Sequence, residues 1–444
     1  MIRRAVLPAA TTMAAVLGSL GTTMLLRGLT PVPAQASVLA VVLSLMLGRS
    51  AERGVRLGVE AALELVVVSL GAAGVAWLLV HQPTTGQVLL VIGLSVGILA
   101  RHFSGPVRRA GRVVTQPFLA LLVTPVPVVV GATAAHQTRD LFGWSPVAAL
   151  VAVLWTAALA RISGARATAE EPPAPAHRTL SRRRVDVPTR MALQMLVGLG
   201  AAMLVGRLLF EDRWAWCVLS AFIVASGNRG RGDVAHKAAQ RLAGALAGTV
   251  LATVAVLHVP AGHRSTLVVL FAVMALALVL RTVSYAFWAA GMTAMLSLLH
   301  AYYGSFGQSG ADQLRERLLG VAIGSALGLA AAWFVLPVRT TEVFRRRLAE
   351  ALRALTEADG TFAASLAALD ELVPTLRAGA RHHAGARRQL AAVAALHDLP
   401  VDGVLGRELR RDVVRIRRSM VGRDDPSPEE LVPGLRAVQA AVAR

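Results

Sequence analysis

Apolar runs, each about long enough to cross a bilayer, alternate with short basic breaks along most of the chain. A spanning helix needs roughly 20 mostly apolar residues, and shorter pieces suffice inside a bundle. On that basis spans are expected near 8–29, 35–48, 57–80, 87–101, 113–135 and 145–162, and again near 190–210, 214–227, 238–258, 265–280, 283–301 and 316–336. The pattern lapses over 163–189, where proline and charge replace any apolar face and mark a flexible linker. It lapses again after Pro337, where apolar residues recur at helical spacing among arginine and glutamate. The expected fold is therefore an all-α polytopic membrane protein of two six-helix bundles, about twelve spans in a duplicated arrangement, plus a C-terminal helical domain. The corresponding divisions are 1–162, an N-terminal transmembrane bundle; 163–189, a basic, proline-rich linker; 190–337, a second bundle; and 338–444, a cytoplasmic helical domain cut by prolines into roughly four helices.

Composition agrees with the pattern. Of the 444 residues 55% are hydrophobic and 16% charged, well below the roughly 25% charge of soluble domains. The formal net charge is +20, and Lys237 is the sole lysine. So basic a chain would suit nucleic acid, but its arginines sit between apolar runs, where membrane topology explains them. Arg49, Arg53 and Arg56, then Arg101, Arg108, Arg109 and Arg112, the linker arginines, and Arg229, Arg231, Lys237 and Arg241 all fall on one side if every span crosses. That places both termini in the cytoplasm of a cell whose inner membrane holds the bundles. Arg315 and Arg317 oppose the bias. Arg3, Arg4 and Ala34-Gln35-Ala36 imitate a cleaved signal, yet apolar sequence resumes at once and an uncleaved first span is expected.

Candidate chemistry is sparse. Arg241, Gly244 and Gly248 share one helix face, and Arg317, Gly320, Gly324 and Gly328 repeat the pattern. Glycines at this spacing let helices pack closely, and the arginines at their mouths are candidates for an anionic substrate. They would otherwise snorkel to headgroups or cap a broken helix. Trp214 and Trp216 precede the first motif by one span, and Tyr285, Phe287 and Trp288 precede the second, as in an inverted repeat. With Asn228 in the intervening hairpin, Trp214, Trp216 and Trp288 complete the candidate substrate-contacting set; interfacial anchoring is the alternative for the aromatics. Glu60 and Glu64, one turn apart in the third span, are either a coupling pair for protons or rungs of a ladder with Arg56. Pro117, Pro125 and Pro127 should kink the fifth span.

Cys217 stands alone, and His382, His383 and His397 lack metal-ligand spacing. No metalloprotease, nucleophile-elbow or nucleotide-binding motif occurs. Neither an enzyme, nor a cofactor, metal or nucleic-acid protein, is expected.

The order W-A-W…S-G-N-R…R-L-A-G-A-L-A-G, with the later R-E-R-L-L-G-V-A-I-G-S-A-L-G and Pro337, resembles the fusaric acid resistance (FUSC-type) family, related to aromatic acid exporters and more distantly to plant malate channels. The likeness is best over about 190–340 and degraded in the first half, where Arg53 and Arg56 lack the glycine steps. It implies a secondary transporter exporting small organic, often aromatic, acids, with proton coupling as an option. An anion channel, or an envelope scaffold acting through its tail as a homo-oligomer or with an accessory partner, is the alternative.

Overall fold

The computed structural model describes residues 2–30, 32–52, 59–100, single positions within 107–122, and then 132–162, 187–226, 230–258, 264–302, 310–338, 340–357, 361–380 and 384–397. Every regular element among them is helical. The chain divides into two compact units, one of residues 1–226 with 237–336 and one of residues 227–236 with 337–444.

The first unit contains α1 (Ile2–Leu29), α2 (Ala34–Glu52), α3 (Val59–His81), α4 (Pro83–Ala100), α5 (Ala132–Ile162), α6 (Val187–Phe210), α7 (Ala215–Ala225), most of α8 (Arg231–His258), α9 (Arg264–Leu280), α10 (Tyr285–Tyr302) and α11 (Gly310–Phe334). Among the described residues seven helices are long and apolar enough to cross a membrane, and four apolar stretches are shorter: Ala36–Gly48, Ala215–Ala225, Ser265–Leu280 and Tyr285–Leu299. This is an all-α membrane protein. The expected spans at 145–162 and 238–258 belong to longer helices, since α5 starts at Ala132 and α8 at Arg231. The proline-broken fifth span lies largely outside the described residues.

The surface of this unit is what lipid requires. On α8, Leu242, Leu246, Val250 and Val254 are exposed while Arg241, Gly244, Ala245, Gly248 and Ala252 are buried. The larger apolar chains thus face out and the small residues face neighbouring helices. Hydrocarbon supplies no hydrophobic drive between helices, so close packing and internal hydrogen bonds must hold the bundle. In the first half α1, α2 and α5 pack mutually, and α3 packs on α5. Ser19 and Ser44 pair at 2.7 Å between α1 and α2, and the Trp155 indole donates to Thr22 at 2.9 Å across α5 and α1. In the second half α6, α7 and α11 pack mutually and α9 packs on α10.

Two irregular points shape the second half. Glu211, at φ 43, turns the chain out of α6 into a single 3-10 turn, Glu211–Arg213, ahead of α7. At 11 residues, α7 is only about 16 Å long, near half a bilayer. Leu336 closes α11 with φ 45. Its carbonyl and that of Val335 are freed there and accept from Gln194 Nε2 of α6 at 3.0 and 2.9 Å.

The second unit joins the residues ahead of and opening α8 to the tail helices α12 (Thr340–Glu357), α13 (Phe362–Asp370), α14 (Val373–Ala380) and α15 (Ala384–His397). Phe344, Leu348 and Leu352 of α12 form a core with Phe362, Leu366, Leu369, Leu376 and Leu396. Pro374 stands in the first turn of α14, where its missing N–H costs nothing. Arg231 N donates to Val338 O at 3.0 Å, Gly232 N to Thr340 Oγ1 at 3.3 Å, and Thr375 Oγ1 to the buried Asp233 carboxylate at 3.1 Å. His397 pairs with Asp370 at 2.7 Å; His382 and His383 lie outside the described residues.

Candidate anion site

The two glycine motifs pack crosswise. Gly244 and Gly248 of α8 face α10: a Cβ at Gly244 would meet Ala286, Ala289 and Ala290, and one at Gly248 would meet Ala290 and Thr293. Gly320, Gly324 and Gly328 of α11 face α7: added Cβ atoms would stand 3.0 Å from Trp216 Cβ, within van der Waals radius of the Cys217 backbone, and 3.0 Å from Ala221 O. Each glycine helix therefore packs against the helix that opens the other hairpin, not the one preceding it in sequence.

This crossing carries both arginines inside. Arg241 is 3% exposed and Arg317 5%. Neither snorkels, and neither is a loop charge of the sort counted for topology. Arg317 reaches two neighbours at once. Its guanidinium stacks on the Trp216 indole of α7, with Cζ 4.3 Å from the ring centroid. Its Nη1 donates to Ser297 Oγ of α10, whose hydroxyl in turn donates to Thr293 O at 3.0 Å. Arg241 is close enough for its charge to act on that of Arg317.

Among the described residues no acidic side chain forms an ion pair with either arginine. Glu316, beside Arg317 in sequence, is paired with Arg213 at the turn before α7. Arg317 Nε and Nη2 are buried with no hydrogen-bond partner, and so is Arg241 Nε. Nε and Nη2 form the side-on edge of a guanidinium, the fork that meets a carboxylate with two parallel hydrogen bonds. The indole covers one face of the ion, Ser297 takes the far nitrogen, and the enclosed Nε–Nη2 edge is left without a partner. Buried charges in low dielectric are otherwise neutralised or hydrogen-bonded.

Several hydroxyls extend the pattern and carry no conspicuous sequence signal. Thr249 follows Gly248 and Ser325 follows Gly324, so both motifs read Arg-x-x-Gly-x-x-x-Gly-Ser/Thr. Their hydroxyls, with those of Ser220 and Thr293, are buried and unpartnered. Only the second copy of the motif, set beside the first, could have singled out Thr249 and Ser325. Ser297 has no such echo.

Residues 201–331 match the family model described as fusaric acid resistance protein-like. The resemblance first read from W-A-W and the glycine motifs holds over that stretch. No curated protein and no solved structure matches the chain. The fusaric acid resistance protein-like region runs from α6 into the last turns of α11 and so contains Trp216, Arg241, Ser297 and Arg317. With its apolar helices, it marks a multi-pass membrane protein of transport type.

The other sequence candidates are scattered. Trp214 is half-buried, caps α7 through its carbonyl, which accepts from Cys217 N at 3.0 Å, and lies against Gly206 of α6. Trp288 packs at the edge of the core. Asn228, Arg56 and the Glu60 side chain lie outside the described residues. Glu64 is half-buried in α3, with Oε2 enclosed and unpartnered.

Proposed function

We propose that the chain is an inner-membrane secondary transporter that exports small organic, often aromatic, carboxylates, and that the unpartnered edge of Arg317 receives the substrate carboxylate. The single observation carrying this is the buried, unpartnered Nε–Nη2 edge of Arg317, stacked on Trp216 and braced by Ser297. An indole beside the fork offers an apolar wall for a ring attached to the carboxylate. Arg241 adds positive potential from a second helix. Support also comes from the family match, which covers the four helices that supply these residues.

The larger frame is part of the same proposal. The triplet α1, α2 and α5 packs as α6, α7 and α11 do, which supports a duplicated bundle of about twelve spans, and the arginine bias of the loops supports both termini in the cytoplasm. Glu64 lies inside the candidate window Ala62–His81, and an unpartnered carboxyl oxygen within a span is a common seat of proton pathways. Glu64 is therefore the coupling residue, with Glu60 as its neighbour on the same face.

Uptake of labelled benzoate into everted vesicles tests this. Wild-type protein should accumulate benzoate when a proton gradient is imposed. Arg317→Gln should weaken apparent affinity by about 30- to 100-fold, the loss of a charge-assisted pair of hydrogen bonds at about 2–3 kcal/mol. Glu64→Gln should retain benzoate binding but lose the response to the gradient. Undiminished uptake by Arg317→Gln would remove the site.

A further inference from the structure

One carboxylate does not complete the cluster. Arg241 and Arg317 are both more than nine-tenths buried, both hold an unpartnered Nε, and the charge of Arg241 acts on that of Arg317. No ion pair joins either of them to an acidic side chain among the described residues, and Glu316 is committed to Arg213. A monocarboxylate in the Arg317 fork leaves one net positive charge and one unmet donor in a low-dielectric interior. Like charges in such a place repel more strongly than in water, and each has lost its hydration. Among the described residues nothing supplies a second negative group, so a ligand that brings one is favoured.

The chain offers that group the same chemistry twice. Arg241 and Arg317 occupy the same position in two copies of one motif, and each copy ends in a buried, unpartnered hydroxyl, Thr249 or Ser325. The crossed packing of α8 on α10 and α11 on α7 brings both copies into one bundle. A single buried arginine would suit one carboxylate; a duplicated one suits two.

We infer that the site binds two anionic groups together, so that a small dicarboxylate, one group on Arg317 and the other on Arg241, is a better ligand than the matching monocarboxylate. This deepens the proposed function and rests on its carboxylate fork. A monocarboxylate binds with a small inorganic anion as companion.

Calorimetric titration of the purified full-length protein, in nanodiscs of zwitterionic lipid and chloride-free buffer, tests the inference. Benzoate is compared with isophthalate, which adds only a second carboxylate to the ring, and butyrate with glutarate, which removes the fixed spacing. In at least one pair the dicarboxylate should bind about tenfold tighter or more, the value of a hydrogen bond to a charged group. Arg241→Gln should bring that ratio close to one, while Arg241→Lys, which keeps the charge, should retain most of it. Equal affinities within both pairs for the wild type would overturn the two-anion site while leaving the carboxylate fork intact. So would a dicarboxylate advantage that survives Arg241→Gln. If no carboxylate binds, the fork and the inference fail together. Should the glutamine variant not fold, the wild-type ratios still decide the matter.

Discussion

Arg317 makes two contacts, with an indole face and a serine hydroxyl, and leaves one edge with no partner. A structural arginine would have its donors satisfied, because an unmet buried donor costs about 1–3 kcal/mol and more when charged. Truncating such an arginine would destabilise the fold. Here the reverse is expected. Arg241→Met should raise the unfolding temperature of the ligand-free protein, since replacing unpaired buried charge with an apolar chain of similar volume is neutral or stabilising, while carboxylate transport falls. A lowered midpoint in differential scanning calorimetry would mean Arg241 is a structural member of the core. Arg317→Lys should not restore function, because an ammonium lacks the planar fork. Ser297→Ala frees a further guanidinium nitrogen and should weaken benzoate binding several-fold.

Among helices, contact is set by glycine. Gly248 and Gly324 admit the neighbouring backbone so closely that an added methyl would overlap Ala290 O and Cys217 O, respectively. Gly324→Ala should therefore cost about 1–3 kcal/mol through overpacking and displace α7, carrying Trp216 away from Arg317. Gly71→Ala and Gly200→Ala, where an added methyl meets nothing within 4 Å, should leave stability unchanged or slightly raised. Equal losses at all of these positions, read from thermal unfolding in detergent, would deny the glycines their role. The spacing of arginine and glycine was legible in sequence because helical periodicity puts residues three and four apart on one face. The crossed pairing was not, since which helix fills a glycine groove is decided by tertiary packing. Ser297 was illegible for a related reason: a hydroxyl in an apolar span usually bonds its own helix backbone, as Ser297 does to Thr293 O, and only the neighbour brought by folding adds the Arg317 guanidinium.

For the molecule as a whole, alternating apolar and basic stretches made the membrane class plain, and the polar tail after Pro337 was equally visible. The grouping of residues 227–236 with that tail was not, because the hairpin reads as a simple turn until Thr340 and Thr375 meet it. Gly230 has φ +120 with Thr340 against it, so Gly230→Val combines backbone strain with a clash and should destabilise this unit. Asp233→Ala leaves Thr375 unpaired inside and should cost about 1–2 kcal/mol. Topology has its own check. In a Cys217→Ser background, a single cysteine placed in the 163–189 linker should react with an impermeant maleimide in everted vesicles and stay unlabelled in right-side-out ones. The opposite labelling would invert the transporter.

Binding of a carboxylate at the Arg317 edge is measured directly by ligand-linked stability. A ligand that binds only the folded state adds RT ln(1 + [L]/Kd), about 2.7 kcal/mol at a hundredfold excess over Kd. The unfolding midpoint of the purified wild-type protein should climb steadily with the logarithm of benzoate concentration, and that of Arg317→Gln should stay flat. Parallel climbs in the two proteins would mean that benzoate binds without the Arg317 edge.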